Sequence, residues 1–305
     1  MMKITIFLTT LLSAGCSPFN NAAQTIDLNY NPVIIKPAYE KEAGPKVYID
    51  EGHNNYHTMN GMYKPFADLL INDGYRVEPI KKRFSKDSLS QVDILVIVNA
   101  IHKDNIDSWS LPVLSAFTDE EIFNVNKWVN NGGSLWLIVD HMPLSGAAKK
   151  LATSFGFLLN NGHAHGPDGK RHIRFSLKNQ TLIDNEITNG LRAQEQIQSV
   201  YTYSGDAFKI PDDAVPLLVF EKGSYSLNPE KAFNFEQETQ RIDISGWSHG
   251  AAKKYGAGKI VLLGESGAFT AQILGKQKQK VGLNSADAPY NQQFILNLAH
   301  WLSGN

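Results

Sequence analysis

The chain has 305 residues, 42% of them hydrophobic, with 29 basic and 30 acidic side chains, a formal net charge of −1 and one cysteine. A near-neutral chain without a basic stripe argues against nucleic acid as a partner. A single thiol excludes a disulfide framework, so stability must come from an apolar core, which a chain of this length can supply.

The first element is a leader. Lys3 precedes the apolar run Ile4–Leu12, and the small residues Ser13-Ala14-Gly15 precede Cys16. A basic start, a short apolar stretch and small residues before a cleavage point describe a secretory signal, too short to span a bilayer as a permanent helix. With cysteine at that place, the leader resembles a bacterial lipoprotein signal. The resemblance implies removal of residues 1–15, a lipid on Cys16 and the membrane as a partner through that lipid. Ser17, where Asp would retain the protein, implies sorting to the outer membrane, facing the periplasm or the cell surface. An ordinary secretory leader cut near Ala14 is the alternative. Residues 16–45, with Asn20-Asn21, Pro32, Pro37 and Pro45, read as a spacer with one docking contact at Val33-Ile34-Ile35.

The organised domain is expected over residues 46–305. Val47-Tyr48-Ile49 predicts a first strand running into Asp50-Glu51-Gly52-His53-Asn54-Asn55, and Tyr63, Phe66, Leu69 and Leu70 predict a helix stopped at Asp73-Gly74. Strands follow at 75–80 and at Ile94–Val98, the latter apolar throughout and so buried on both faces. Thr118-Asp119-Glu120-Glu121 has the capping-box form of a helix start, and Asn131-Gly132-Gly133 ends that helix. Ser134–Val139 predicts a fourth strand entering Asp140-His141-Met142-Pro143, with a helix over Gly146–Phe155 after it. The stretch from about 158 to 243 is irregular, with strand-like runs at Ile173–Leu177, Ile197–Tyr203 and Val215–Phe220, and reads as an antiparallel extension or inserted cap. A last parallel strand, Gly258–Leu263, and a helix over Asn291–Leu302 close the chain. Strand–helix alternation at this spacing predicts a mostly parallel sheet with helices on both faces.

Asp50-Glu51-Gly52-His53, Trp128–Leu135, Asp140-His141-Met142-Pro143, Tyr255–Val261 before Gly264-Glu265, and Asn297–Leu302 together resemble a group of uncharacterised bacterial proteins. That group is similar to the class I glutamine amidotransferase-like superfamily. The resemblance covers roughly 46–302 and implies a flavodoxin-like α/β fold: a three-layer sandwich with a mostly parallel sheet, carrying the irregular or antiparallel insert in its middle. Members of that superfamily use a nucleophilic cysteine, and no cysteine follows Cys16 here, so glutamine hydrolysis by that route is excluded.

In open parallel sheets ligands bind beyond the carboxyl ends of the strands. Three such ends carry ionisable groups: Glu51, His53 and His57; Asp140 and His141; and Glu265. The loop residues His163 and His165, with His249 and the amides Asn54 and Asn55, are further binding candidates at that edge. Three chemistries fit. A divalent metal, the one cofactor considered, would take His53, His57, Asp140 and His141, or the His163–His165 pair. A metal-free hydrolase would use Glu51, Asp140 or Glu265 as acid or base with His53 or His141. A non-catalytic module would grip a small molecule, sugar or peptide through Asn54, Asn55 and aromatic groups such as Tyr56, Trp109, Tyr203 and Trp247. Ser266 is a weak nucleophile candidate, because Ala268 stands where the second glycine of a Gly-x-Ser-x-Gly elbow belongs. The glycine pairs sit after a helix and before a strand, so no nucleotide cofactor is expected.

Overall fold

A run of short apolar segments builds one large sheet in the computed structural model, which describes residues 24–304. The expected signal peptide and Cys16 lie outside the described residues. In chain order the early elements are β1 (Gln24–Ile26), β2 (Lys46–Asp50), α1 (Lys64–Asn72), β3 (Arg76–Ile80), α2 (Lys86–Leu89), β4 (Ile94–Val98), α3 (Asp119–Asn130), β5 (Ser134–Ile138) and α4 (Leu144–Ser154). The middle holds β6 (Leu158–Leu159), β7 (His163–His165), β8 (Ile173–Ser176), α5 (Glu186–Asn189), β9 (Ser199–Thr202), β10 (Phe208–Lys209), β11 (Ala214–Val219), β12 (Tyr225–Asn228) and β13 (Gln240–Asp243). The chain closes with β14 (Ser248–Tyr255), β15 (Gly258–Leu263), β16 (Ala271–Leu274), β17 (Gln279–Gly282) and α6 (Asn291–Ser303).

The large sheet has nine strands, ordered β3-β2-β4-β5-β15-β14-β10-β6, with β11 also paired to β14. Every residue of β4 and β5 is buried, as central strands covered on both faces require. Their alternate side chains divide the core. Val96, Val98, Trp136 and Ile138 pack with α1 and α6 residues such as Phe66 and Phe294. Leu95, Ile97, Leu135 and Leu137 pack with Val125 and Val129 of α3 and Leu151 of α4. Pro79 lies in β3, an edge strand, where its missing N–H breaks no ladder.

The expected flavodoxin-like three-layer sandwich is corrected by this sheet. Only the pairings among β3, β2, β4, β5 and β15 are parallel. Those of β14 with β15, β11 and β10, and of β10 with β6, are antiparallel. Three smaller sheets, β1-β16-β17, β13-β12-β7 and β8-β9, are antiparallel throughout. The physical cause is local. A turn at Gly256-Ala257 folds β14 back on β15, and Gly256 sits at φ +59 where a Cβ would fall 2.4 Å from Asn130. In the middle β12 and β13 form a hairpin, while β6, β7 and β11 pair antiparallel with strands distant in sequence.

From Gln24 onward the segment read as a spacer lies on the domain. β1 pairs with β16, the Tyr30 hydroxyl donates to Gln292, Asn72 donates to the Pro32 carbonyl, and the Ala38 N–H donates to Asp73. Ile34 packs on the core while Val33 and Ile35 are exposed. None of the helices among the described residues is long and apolar enough to cross a membrane.

Candidate functional site

Register brings the site together. Val98 and Leu263 both pair with Ile138, so the residues that follow these three strands emerge at one level of the sheet edge. Asn99, Asp140, Glu265 and Ser266 meet there. Asn99 adopts φ +47, in the left-handed region that asparagine tolerates better than most residues. Its Nδ2 donates to Ser266 Oγ at 2.8 Å, and that hydroxyl donates to Asp140 Oδ2 at 2.7 Å. Asp140 Oδ1 accepts the His141 N–H at 2.8 Å. The Tyr63 hydroxyl holds the Ser266 carbonyl at 3.0 Å, fixing the turn from below.

Glu265 is buried, and its two oxygens accept the N–H groups of Gly267 at 2.6 Å and Ala268 at 2.8 Å. Burial first, and then the charge of Asp140, hold its carboxyl well above the usual carboxylate range, against the pull of those N–H groups. His141 Nδ1 lies 2.7 Å from the Met142 carbonyl, which can only accept, so Nδ1 carries a proton. Its Nε2 lies 3.7 Å from Asp140 Oδ1. His163 stacks on the His141 ring, centroids 4.5 Å apart, and burial pushes its imidazole down to about 2. His57 stacks on Tyr63 at 5.2 Å and is pushed down to about 4 by burial, so its ring is neutral at pH 7.

A cavity of about 420 Å³ lies here. His57, Asn99, Asp140, His141, Glu265 and Ser266 form its floor, and Tyr56, Trp109 and Phe233 contribute rings. The Trp109 ring lies 5.6 Å from Tyr56, 5.9 Å from His141 and 6.3 Å from Phe233. Phe233 holds φ +65, a costly conformation for a bulky residue, with its ring 4.7 Å from that of His141. Arg171 supplies a cation to the same space, with Asp140 acting on it electrostatically. A larger cavity of about 780 Å³ sits at the opposite, amino-terminal edge, beside Asp93, Gly133 and Ser134. It gathers no comparable set of carboxylates and imidazoles, so the smaller cavity is the candidate site.

Of the residues expected from sequence, Asp140, His141, Glu265, His57 and Ser266 line this cavity, as do the aromatic candidates Tyr56, Trp109 and Tyr203. His53 is placed elsewhere: Nδ1 lies 2.9 Å from Asp50 and Nε2 2.9 Å from Glu121, all three buried. Glu51 accepts the Met59 N–H at 2.9 Å and faces Lys81 at 3.5 Å. Asn54 donates to the Ile101 carbonyl, and Asn55 donates to Asp50 and the Val98 carbonyl. His163 underlies His141, His165 stacks on Tyr225 at 5.0 Å, and His249 packs between Phe175 and Phe220 with Nδ1 on the Asp206 carbonyl. Among the described residues no group of three or more His, Cys, Asp or Glu side chains is arranged to hold a metal ion. The tetrad His53, His57, Asp140 and His141 does not close, because both nitrogens of His53 are committed to Asp50 and Glu121.

Asn99, Arg171, Ser204 and Phe233 line the cavity without having been singled out from sequence. Asn99 was readable, since it follows an apolar strand directly and stands at its carboxyl end. The other three come from the irregular middle, where no periodicity marks an inward face.

No family model matches the chain, and no curated protein matches it. Solved structures do. The mmIFT52 N-terminal domain superposes with a TM-score of 0.58 at 13% identity, over 85% of this chain and 98% of that one. The cytoplasmic protein STM3548 from Salmonella typhimurium gives 0.50 at 13% identity, over 85% and 98%. A ThuA-like protein from Bacteroides uniformis ATCC 8492 gives 0.46 at 11% identity, over 87% and 94%. At these identities the first two likenesses show a shared fold and nothing of the chemistry.

Proposed function

We propose that the cavity at the carboxyl edge of the sheet is the site of an acid–base hydrolytic reaction on a small ligand, in an exported protein anchored through a lipid on Cys16. One observation carries the chemical part. Asp140 and Glu265 follow adjacent parallel strands into a single cavity, where burial and the charge of Asp140 raise the Glu265 carboxyl well above the usual range and favour its protonated form. A carboxyl group raised by its surroundings, next to a second carboxyl in the same cavity, can supply an acid beside a base. In the proposed step, water attacks the ligand while Asp140 takes a proton from it. Glu265 gives its proton to the leaving group, and His141 Nε2 offers a second basic atom beside Asp140. The export part rests on the leader sequence ending at Cys16.

The test uses chromogenic glycosides and esters. Glu265→Gln and Asp140→Asn should each lower turnover by about 100-fold or more with the melting temperature held. Activity of the unaltered chain should fall as pH rises through the elevated Glu265 value. Turnover unchanged in both variants overturns the proposal. One observation favours the alternative, a non-catalytic carbohydrate- or peptide-binding module: both Glu265 oxygens are already engaged by backbone N–H groups. Ligand binding without turnover, equal in the chain and both variants, would establish that reading.

A further inference from the structure

We infer that the ligand of this cavity is a neutral carbohydrate, a class that deepens the acid–base reading and rests on it for the chemistry that follows binding. Four residues lining the cavity each carry a buried polar atom without a hydrogen-bond partner: His57 Nδ1, Asn99 Oδ1, Tyr203 Oη and Ser204 Oγ. His57 and Asn99 are 4% and 2% exposed, so solvent at the mouth does not satisfy them. A buried polar atom left unpaired costs about 1–3 kcal/mol, which a bound partner recovers.

The four atoms ask for different things. Asn99 Oδ1 can only accept, while a serine hydroxyl both donates and accepts. The neutral imidazole of His57 presents a donor or an acceptor at Nδ1 according to its tautomer. A ligand that meets all four needs several groups able to play both parts, and the hydroxyl is the common group that does. Those hydroxyls must also sit on a body with apolar faces, because Trp109, Tyr56 and Phe233 wall the same space. A pyranose ring has that form, with hydroxyls at its rim and C–H faces that lie on aromatic rings. An extended peptide has it less well, since its backbone offers fixed donors and acceptors and asks for a sheet edge.

Charge selects within the class. Arg171 is the cation lining the cavity and Asp140 the carboxylate facing it, so the two offset each other. Burial favours the uncharged form of both Glu265 and His57. A uronic acid would find no net positive charge there, and an amino sugar no net negative one.

The experiment is calorimetric titration of the full chain with neutral mono- and disaccharides, glucuronic acid, glucosamine and tetra-alanine. Saturable binding is expected for a neutral sugar, at least tenfold tighter than for its acidic or amino counterpart. Trp109→Ala should weaken it tenfold or more and Ser204→Ala severalfold, each with an unchanged melting temperature. Binding of the peptide without any neutral sugar overturns the inference, as does the absence of sugar binding in a chain that still cleaves esters. Sugar binding with no glycoside turnover upholds the inference while removing the acid–base reading, so the two fail separately.

Discussion

His53 has hydrogen-bonding partners on both ring nitrogens, and both are buried carboxylates. Burial pulls its pKa down, but the hydrogen bonds and charges of Asp50 and Glu121 together raise it above 6.5. Glu121 is pushed up by burial and more than compensated by His53 and by Thr118, so that it falls from 4.5 to about 2. A raised histidine stabilises fully below its unfolded value and loses that contribution as pH rises through the folded one. A depressed carboxylate contributes above its unfolded value and loses it as pH falls. The bridge is therefore complete between pH 4.5 and 6.5. His53→Ala should cost about 3 kcal/mol by leaving two buried carboxylates without their shared partner. The melting-temperature difference between the chain and His53→Gln, followed from pH 4 to 9, should be largest in that window and shrink on the alkaline side. A flat difference would show that the imidazole is not charged there. Sequence marked His53 as chemically unusual, and its burial justifies the mark. It could not tell a catalytic histidine from a staple, because the deciding partner, Glu121, lies 68 positions away.

Among the elements, α3 was readable down to its cap. Thr118 Oγ1 accepts the Glu121 N–H at 3.2 Å, and Glu121 accepts the Thr118 N–H at 3.0 Å, as the four-residue pattern implies. Since Glu121 Oε1 also meets His53, the cap couples the start of α3 to the loop after β2. Thr118→Ala should cost about 1 kcal/mol by thermal denaturation, and more if the His53 bridge loosens with it. A double-mutant cycle with His53→Gln would measure that coupling as non-additivity. By contrast β14 was illegible. Its sequence Ser-His-Gly-Ala-Ala-Lys-Lys-Tyr shows neither an apolar run nor alternation, and its buried Lys253 is paid for by Asp213 at 2.9 Å and the Phe155 carbonyl at 3.1 Å. A strand of small residues under a neighbouring strand's larger ones leaves no periodic trace. The parallel half could be read because β4 and β5 are apolar throughout; in the antiparallel part the expected runs at 173–177, 197–203 and 215–220 coincide with β8, β9 and β11, while two-residue pieces such as β6 and β10 left no trace.

For the whole molecule, the placement of β1 ties the cavity to the proposed anchor. Gln24 pairs with Leu274, and both line the cavity. Seven residues lie between Cys16 and Gln24, and the eight extended steps from one to the other reach about 29 Å at most. A lipid on Cys16 would thus hold the cavity wall close to the bilayer rather than swing it on the long spacer that the prolines from 32 to 45 suggest, because those residues are folded onto the domain. Labelled palmitate should enter the chain in cells and fail to enter Cys16→Ser, which should leave the membrane fraction. A fluorophore attached at exposed Tyr56, which lines the cavity, should transfer energy efficiently to acceptors in the headgroup layer. Inserting a long Gly/Ser stretch after Pro18 should lower that transfer while leaving palmitate uptake intact. Equal transfer with and without the insert would mean that something other than chain length sets the distance. Absence of palmitate from the unaltered chain would remove the proposed anchor.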